Sequence, residues 1–402
     1  MTAERAGSPF EPRLPRLRLG RLFVWTLVLR VLLAVALHFA VPPETFAPDQ
    51  LTYDAFGRWQ AAGWTGELPL PPGEDFRTGM KAYVNIVAAI YYLFGPFALL
   101  PKLLNCFIGA LTVLVVHDVT LRISDSRAAA LRAAAYAAFF PSLVLWSTQG
   151  IRDVWIVLLI LLLCRQALIL QSRPSPLTFA VLAAAMLGLA QFRAYVLFAV
   201  AGPIVVCLVV QRSRHVGRSL IVGSAAALML IYADQVAGAN RRLRFVDFEE
   251  LNRVRYWNTA DAASSFEQVD ISSPAKALVY LPKGLALFLL APFPWSFGSV
   301  RQTLALPEML FFYALIPSIF RGSRHLARKH FGSSLMVLLM TAGVTVGYAL
   351  GEGNAGTAYR HRAQVLCFFL IVAAVGVERR RTETLSVGAA FERQQARRPP
   401  QG

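Results

Sequence analysis

Apolar residues are gathered along this chain into blocks of membrane length, parted by shorter polar segments. The blocks run over 22–41, 97–119, 128–149, 153–171, 176–192, 194–211, 218–236, 306–320, 333–351 and 363–378. A bilayer core of roughly 30 Å is crossed by about 20 apolar residues in a helix. Lipid offers no water to unpaired backbone groups, so the predicted spans are α-helical. The pattern therefore predicts an all-α, polytopic integral membrane protein with ten transmembrane helices. Two further apolar stretches, 83–95 and 278–295, break the alternation if each crosses, and the count then becomes twelve. The first is short for a span and ends in Gly95-Pro96; the second carries Lys283, Pro292 and Pro294. Both are expected on the outer side, as re-entrant or interfacial helices.

Composition agrees with this reading. Of 402 residues, 56% are hydrophobic and 16% charged, more apolar than a soluble domain tolerates. The net charge of +17 lies mostly in short Lys/Arg clusters between the blocks, so it reads as a positive-inside signal and argues against a nucleic-acid partner. These clusters precede Leu22 and recur at 122–132, 212–218, 321–329 and 379–381. With all of them cytoplasmic, both termini are cytoplasmic too. The expected layout is a basic N-terminus (1–21), a transmembrane domain (22–378) with outer loops at 42–82 and 238–277, and a polar tail (379–402). The first block is longer than the core of a signal peptide and is followed by more spans, so it is expected to be retained. Cys106, Cys164, Cys207 and Cys367 fall inside apolar blocks without metal-ligand spacing.

Under this threading the unusual polar residues collect on the outer face: Asp49, Asp54, Lys81, Arg152, Asp153, Arg193, Glu352, Tyr359, Arg360 and Arg362. Asp49 is set at the membrane edge, just before a segment whose Leu51, Ala55, Phe56 and Trp59 share one helical face. That segment is expected to lie on the membrane surface, with Asp54 on its polar side, solvated or ion-paired. Arg152-Asp153 begins a helix, where the dipole favours the acid. The run Tyr359-Arg360-His361-Arg362 places cations at a helix start, where the dipole disfavours them, so an anionic partner is expected. Arg30, inside the first block, calls for an interior partner. Residues 351–356 match G-x-G-x-x-G without a strand before or the setting a dinucleotide site needs.

A carboxylate beside several fixed cations at a membrane boundary suits transfer of a sugar from a lipid phosphate to a hydroxyl. The carboxylate takes the acceptor proton as general base. The departing phosphate needs positive charge, which Lys81, Arg152, Arg193, Arg360 or Arg362 would supply.

Four segments carry a resemblance. PDQLTY follows the first block, and KAYVNIVAAIYYLFG is similar to a Lys-led "KPPLYY…LFG" helix. Residues 103–153 form paired helices ending at an outer Asp, and YRHRAQVLCFFLIVAAVG resembles a terminal "RYR…P" helix. Together they resemble the GT-C class of polyprenyl-phosphate-dependent glycosyltransferases, in particular the protein O-mannosyltransferase and lipid A aminoarabinose transferase group. The resemblance implies a polyprenyl-phosphate-linked sugar donor and a glycan, lipid or protein acceptor. It implies an active site on the outer face of the plasma (inner) membrane. It also implies Asp49 as catalytic base, Lys81 as phosphate ligand, and Asp153 as a second carboxylate supporting the site or a divalent metal. Here Ala82-Tyr83 replaces the proline pair after the lysine, and Gln50 replaces an acid after Asp49. The readings left open are a lipid-linked polysaccharide polymerase or ligase and a polytopic transporter. The transporter predicts ionisable groups nearer the midplane and internal repeats.

Overall fold

The computed structural model describes residues 13–72, 80–210, 248–260, 265–295 and 300–396. Among these, every regular element of more than three residues is an α-helix, and a single isolated bridge pairs Ser265 with Asn354. In chain order the helices are α1 (Arg13–Ala40), α2 (Asp49–Thr65), α3 (Lys81–Phe94), α4 (Leu99–Ser124), α5 (Arg127–Phe139), α6 (Pro141–Ser147), α7 (Asp153–Ser172), α8 (Pro176–Val210), α9 (Phe248–Ala260), α10 (Pro274–Leu290), α11 (Val300–Lys329), α12 (Phe331–Gly351) and α13 (Ala355–Ala396).

Six described stretches are long and apolar enough to cross a membrane, and the bent pair α5/α6 makes a seventh if it counts as one span. The chain is thus an all-α, polytopic membrane protein. The predicted spans at 22–41, 97–119, 153–171, 176–192, 333–351 and 363–378 coincide with these six stretches. The block 128–149 is broken at Phe140-Pro141, with a bend of 56°. The block 194–211 keeps only a shorter apolar helix, Tyr195–Cys207. Residues 306–320 lie within α11, interrupted by Pro307 and Pro317, and 218–236 lies outside the described residues.

α13 is the central post: from Val365 to Ala374 its side chains are almost all buried, as expected of a helix apolar on every side. It lies against α11 at closest range where Gly322 meets Gly376. A Cβ on Gly376 would fall 1.9 Å from the Ser318 carbonyl oxygen, and one on Gly322 2.0 Å from that of Val372. α5 presents Ala129, Ala130, Ala133, Ala134, Ala137 and Ala138 to its neighbours, all buried, so backbones approach closely there too. α1 behaves oppositely, with Trp25, Leu32 and Phe39 exposed. In a membrane protein this outward apolar face meets lipid.

The break between α5 and α6 is explained by Pro141, which has no N–H to give the Ala137 carbonyl. Arg30 takes over: Nη2 donates to Ala137 O at 3.2 Å, Nη1 to Ala138 O at 2.8 Å, and Nε to Ser147 Oγ at 3.0 Å. Thr26 Oγ1 adds a bond to Ala138 O at 3.1 Å. The interior partner expected for Arg30 is therefore a broken helix end.

α2 and α3 form a hairpin at one end of the bundle, with Tyr53, Gly57 and Ala61 buried together with Tyr83, Val84, Val87 and Tyr91. The stripe of α2 that packs on protein is thus separate from the apolar face expected at the membrane surface. Leu51 and Ala55 stay exposed, free to meet lipid, while Tyr53, Gly57 and Ala61 face protein. Asp54 pairs with Arg58 at 2.9 Å and accepts from Tyr91 Oη.

Candidate active site

Asp49 and Asp153 are the first residues of α2 and α7, where the positive end of the helix dipole favours a carboxylate. Arg360 lies in the second turn of α13. Arg193 occupies the break in α8, with φ −159° and ψ 84° between two helical segments. Four elements thus deliver four charged side chains to one end of the bundle.

Arg360 bridges the two carboxylates. Its Nη1 donates to Asp49 Oδ2 at 2.7 Å, while Nε and Nη2 donate to Asp153 Oδ2 at 2.8 and 2.6 Å. Asp153 Oδ1 accepts from Gln364 Nε2 at 3.0 Å and faces Arg193 Nη2 at 3.5 Å. The Asp153 side chain is 1% exposed and that of Asp49 57%. The buried carboxylate, engaged on both oxygens, holds two guanidinium groups in place. The exposed one is engaged through Oδ2 and accessible to a proton donor from outside.

The cations are not all matched. Arg193 Nη1 donates to Tyr348 Oη at 3.3 Å and Arg152 Nη1 to the Phe192 carbonyl at 2.9 Å. The Nε of each is buried without a hydrogen-bond partner. Burial, together with the neighbouring Arg193 charge, pushes the Arg152 guanidinium below its ordinary value. Three guanidinium groups (Arg152, Arg193, Arg360) stand among three carboxylates (Asp49, Asp153 and, acting on Arg193, Glu352), and two buried Nε–H donors are left over. A phosphate with several acceptor oxygens suits such a set.

Beside this cluster, His361 Nδ1 pairs with the buried Glu352 carboxylate. Burial works to raise the Glu352 carboxyl, and the adjacent His361 overrides it, leaving the group below the usual carboxylate range. Tyr348 Oη donates to Gln364 Oε1, which orients the amide that holds Asp153.

Lys81 is the exposed first residue of α3. Tyr359 and Arg362, three residues apart, share the opposite side of α13. Tyr359 Oη donates to Glu308 Oε2 at 2.8 Å. Arg362 donates to the Phe288 carbonyl at 2.8 Å, to Met309 sulfur at 2.6 Å and to the Ala291 carbonyl. These two residues tie α13 to α10 and α11. The anions expected for Tyr359-Arg360-His361-Arg362 are thus largely the protein's own, Asp49, Asp153, Glu352 and Glu308. As for a metal, no group of three or more His, Cys, Asp and Glu among the described residues is placed to hold one, and both oxygens of Asp153 are turned to nitrogen donors.

Glu308, Tyr348 and Gln364 were not expected from the sequence. Gln364 carries a faint signal, one helical turn after Arg360 and so on its face. Glu308 is a lone acid at the start of an apolar block, and Tyr348 inside another block gives no signal at all. No protein-family model matches the chain, and no curated protein matches it.

Proposed function

We propose that the protein is a membrane glycosyltransferase of the GT-C kind, moving a sugar from a polyprenyl-phosphate carrier to an acceptor hydroxyl. The observation that carries this reading is the graded pair of carboxylates on Arg360. Asp153 is buried and saturated, and Asp49 is half-exposed at the edge of the bundle. Asp49 removes the acceptor proton while the new bond forms at the anomeric carbon. The bond from that carbon to the phosphate oxygen breaks, and the lipid phosphate leaves with the electron pair. A phosphate needs no proton to depart, only positive charge. The unused Nε–H groups of the Arg152 and Arg193 guanidinium ions supply it.

A lipid-linked donor reaches this site from the bilayer, past the exposed apolar residues of α2, with its polyprenyl tail left in lipid. The outer face of the plasma membrane, with both termini cytoplasmic, is the orientation that goes with the basic clusters. Asp49, Asp153 and Arg360 stand in the first two turns of their helices, at the ends of apolar blocks, which supports a transferase over a transporter built around a midplane site.

The test is Asp49→Asn in cells, reading envelope glycans and lipid-linked sugar. Loss of the glycan with accumulation of the carrier-linked sugar is the expected result. Normal glycosylation by a stably inserted variant overturns the assignment of Asp49 as base.

A further inference from the structure

A cavity lies outside the carboxylate cluster, between α9 and the segment 265–270. It measures about 190 Å³ and is lined by Asn252, Arg255, Tyr256, Thr259, Gln268 and Asp270. This is below the roughly 300–1,000 Å³ of pockets for drug-sized ligands, so it suits a ligand of about one ring.

The cavity is built around a buried cation. Arg255 is 2% exposed. Its Nη1 donates to the Glu352 carbonyl at 2.7 Å and Nη2 to the Glu267 carbonyl at 3.3 Å, and its guanidinium lies 4.3 Å from the Tyr280 ring centre. Its Nε, in contrast, is buried with no partner. The opposite wall is held in place by backbone. Phe266 N–H donates to the Gly353 carbonyl at 2.8 Å, Ser265 bridges Asn354, and Ile271 N–H donates to Asn252 Oδ1 at 2.9 Å.

The lining mixes donors and acceptors: a guanidinium, two amides, a hydroxyl and a carboxylate. Several of these groups are held within the protein: Asn252 Oδ1 by Ile271 N–H, Thr259 Oγ1 on the Arg255 and Tyr256 carbonyls, and Asp270 by Ser272 N–H and Lys276. The buried Arg255 Nε–H and the Gln268 amide remain for a ligand, a donor and a group that both donates and accepts, and hydroxyls suit that mixture. A phosphate offers mainly acceptors and leaves the Gln268 amide oxygen without a donor. At the rim, Tyr256 and the adjacent Trp257 are exposed aromatic faces, and such faces pair an apolar surface with a polar edge. Arg255 also links the cavity to the carboxylate cluster, since its Glu352 partner holds His361, the neighbour of Arg360.

We propose that this cavity is a saccharide-binding site that seats the sugar of a glycan acceptor beside the transfer site. The assignment rests on the glycosyl-transfer reading above and names a substrate class for it.

Direct binding to the full chain in lipid nanodiscs tests it, with a panel of methyl hexopyranosides and methyl pentopyranosides as probes and inorganic phosphate as a competitor. At least one glycoside is expected to bind saturably. Gln268→Ala, at an exposed position, should weaken it about tenfold, on the order expected for losing a well-placed hydrogen bond. Phosphate should not compete. Absence of binding across the panel, affinity unchanged by Gln268→Ala, or displacement by phosphate each overturns the proposal.

The same titration on Asp49→Asn separates this proposal from the one it rests on. Glycoside binding at parental affinity in that variant is expected. Binding that persists while transfer proves independent of Asp49 keeps a sugar site and removes the base. Transfer that needs Asp49 in a protein that binds no glycoside removes the cavity alone.

Discussion

Arg360 and Asp49, 311 positions apart in sequence, are joined by an ion pair of 2.7 Å, and the same guanidinium holds Asp153. The two carboxylates differ in what their loss does. Removing Arg360 as Arg360→Met leaves Asp153 buried with only the Gln364 amide and the longer Arg193 contact, a loss of about 3–5 kcal/mol. Asp49→Asn breaks a pair at a half-exposed group, which costs no more than about 1 kcal/mol. Unfolding of the detergent-solubilised variants should rank them in that order; equal losses would show that Asp153 does not depend on Arg360.

Arg30→Leu should destabilise the protein by roughly 1–3 kcal/mol, because the Ala137 carbonyl loses its donor in a buried site while the Ala138 carbonyl keeps Thr26 Oγ1. Pro141→Ala returns an N–H opposite Ala137. In the Arg30→Leu background it should therefore recover part of the loss. A double variant that is merely additive would mean that Arg30 does not compensate for the proline.

The glycine contact between α11 and α13 predicts a sharp contrast. Gly376→Ala places a methyl group 1.9 Å from a backbone carbonyl, so the helices must separate, and expression of folded protein should fall severely. Gly20→Ala meets nothing within 4 Å and should leave expression unchanged. Fluorescence-detected size exclusion of the two variants is enough to check this.

The Glu352–His361 pair gives a pH dependence. Glu352 is held below its ordinary value of 4.5, so its contribution is present above about pH 4.5 and fades as the pH falls through the lower folded value. Glu352→Gln should lower the melting temperature just above pH 4.5, where Glu352 is ionised and its His361 partner most fully protonated. The gap between variant and parent should narrow on acidification below pH 4.5, and a gap that stays constant down to pH 3 would remove the assignment.

Long apolar blocks made α1, α4, α7, the first half of α8, α12 and α13 legible, since a helix of that length and composition has one favourable environment. Proline hid the rest: Pro141 divides one predicted span, and Pro307 and Pro317 interrupt the stretch within α11. At the site, Asp49, Asp153, Arg193 and Arg360 were readable because charge at the end of an apolar block is conspicuous. Helical phase was not readable to that accuracy. A step of 100° per residue sends Arg360 and Gln364 to one side of α13 and Tyr359 and Arg362 to the other, and only the packing of α10 and α11 decides which side is which. Glu308 and Tyr348 gain their roles wholly from neighbours distant in sequence.

The glycine crossing also bears on motion. Helices whose backbones touch at Gly322 and Gly376 cannot slide past each other without collision, so α11 and α13 move as a single strut. Arg360 and His361 ride on that strut, whereas Asp49 belongs to the α2–α3 hairpin and Arg193 to the break in α8. On the proposed glycosyl-transfer reading, a substrate enters by displacement of the hairpin or of the α8 segment away from Arg360, and that displacement breaks the Asp49–Arg360 pair.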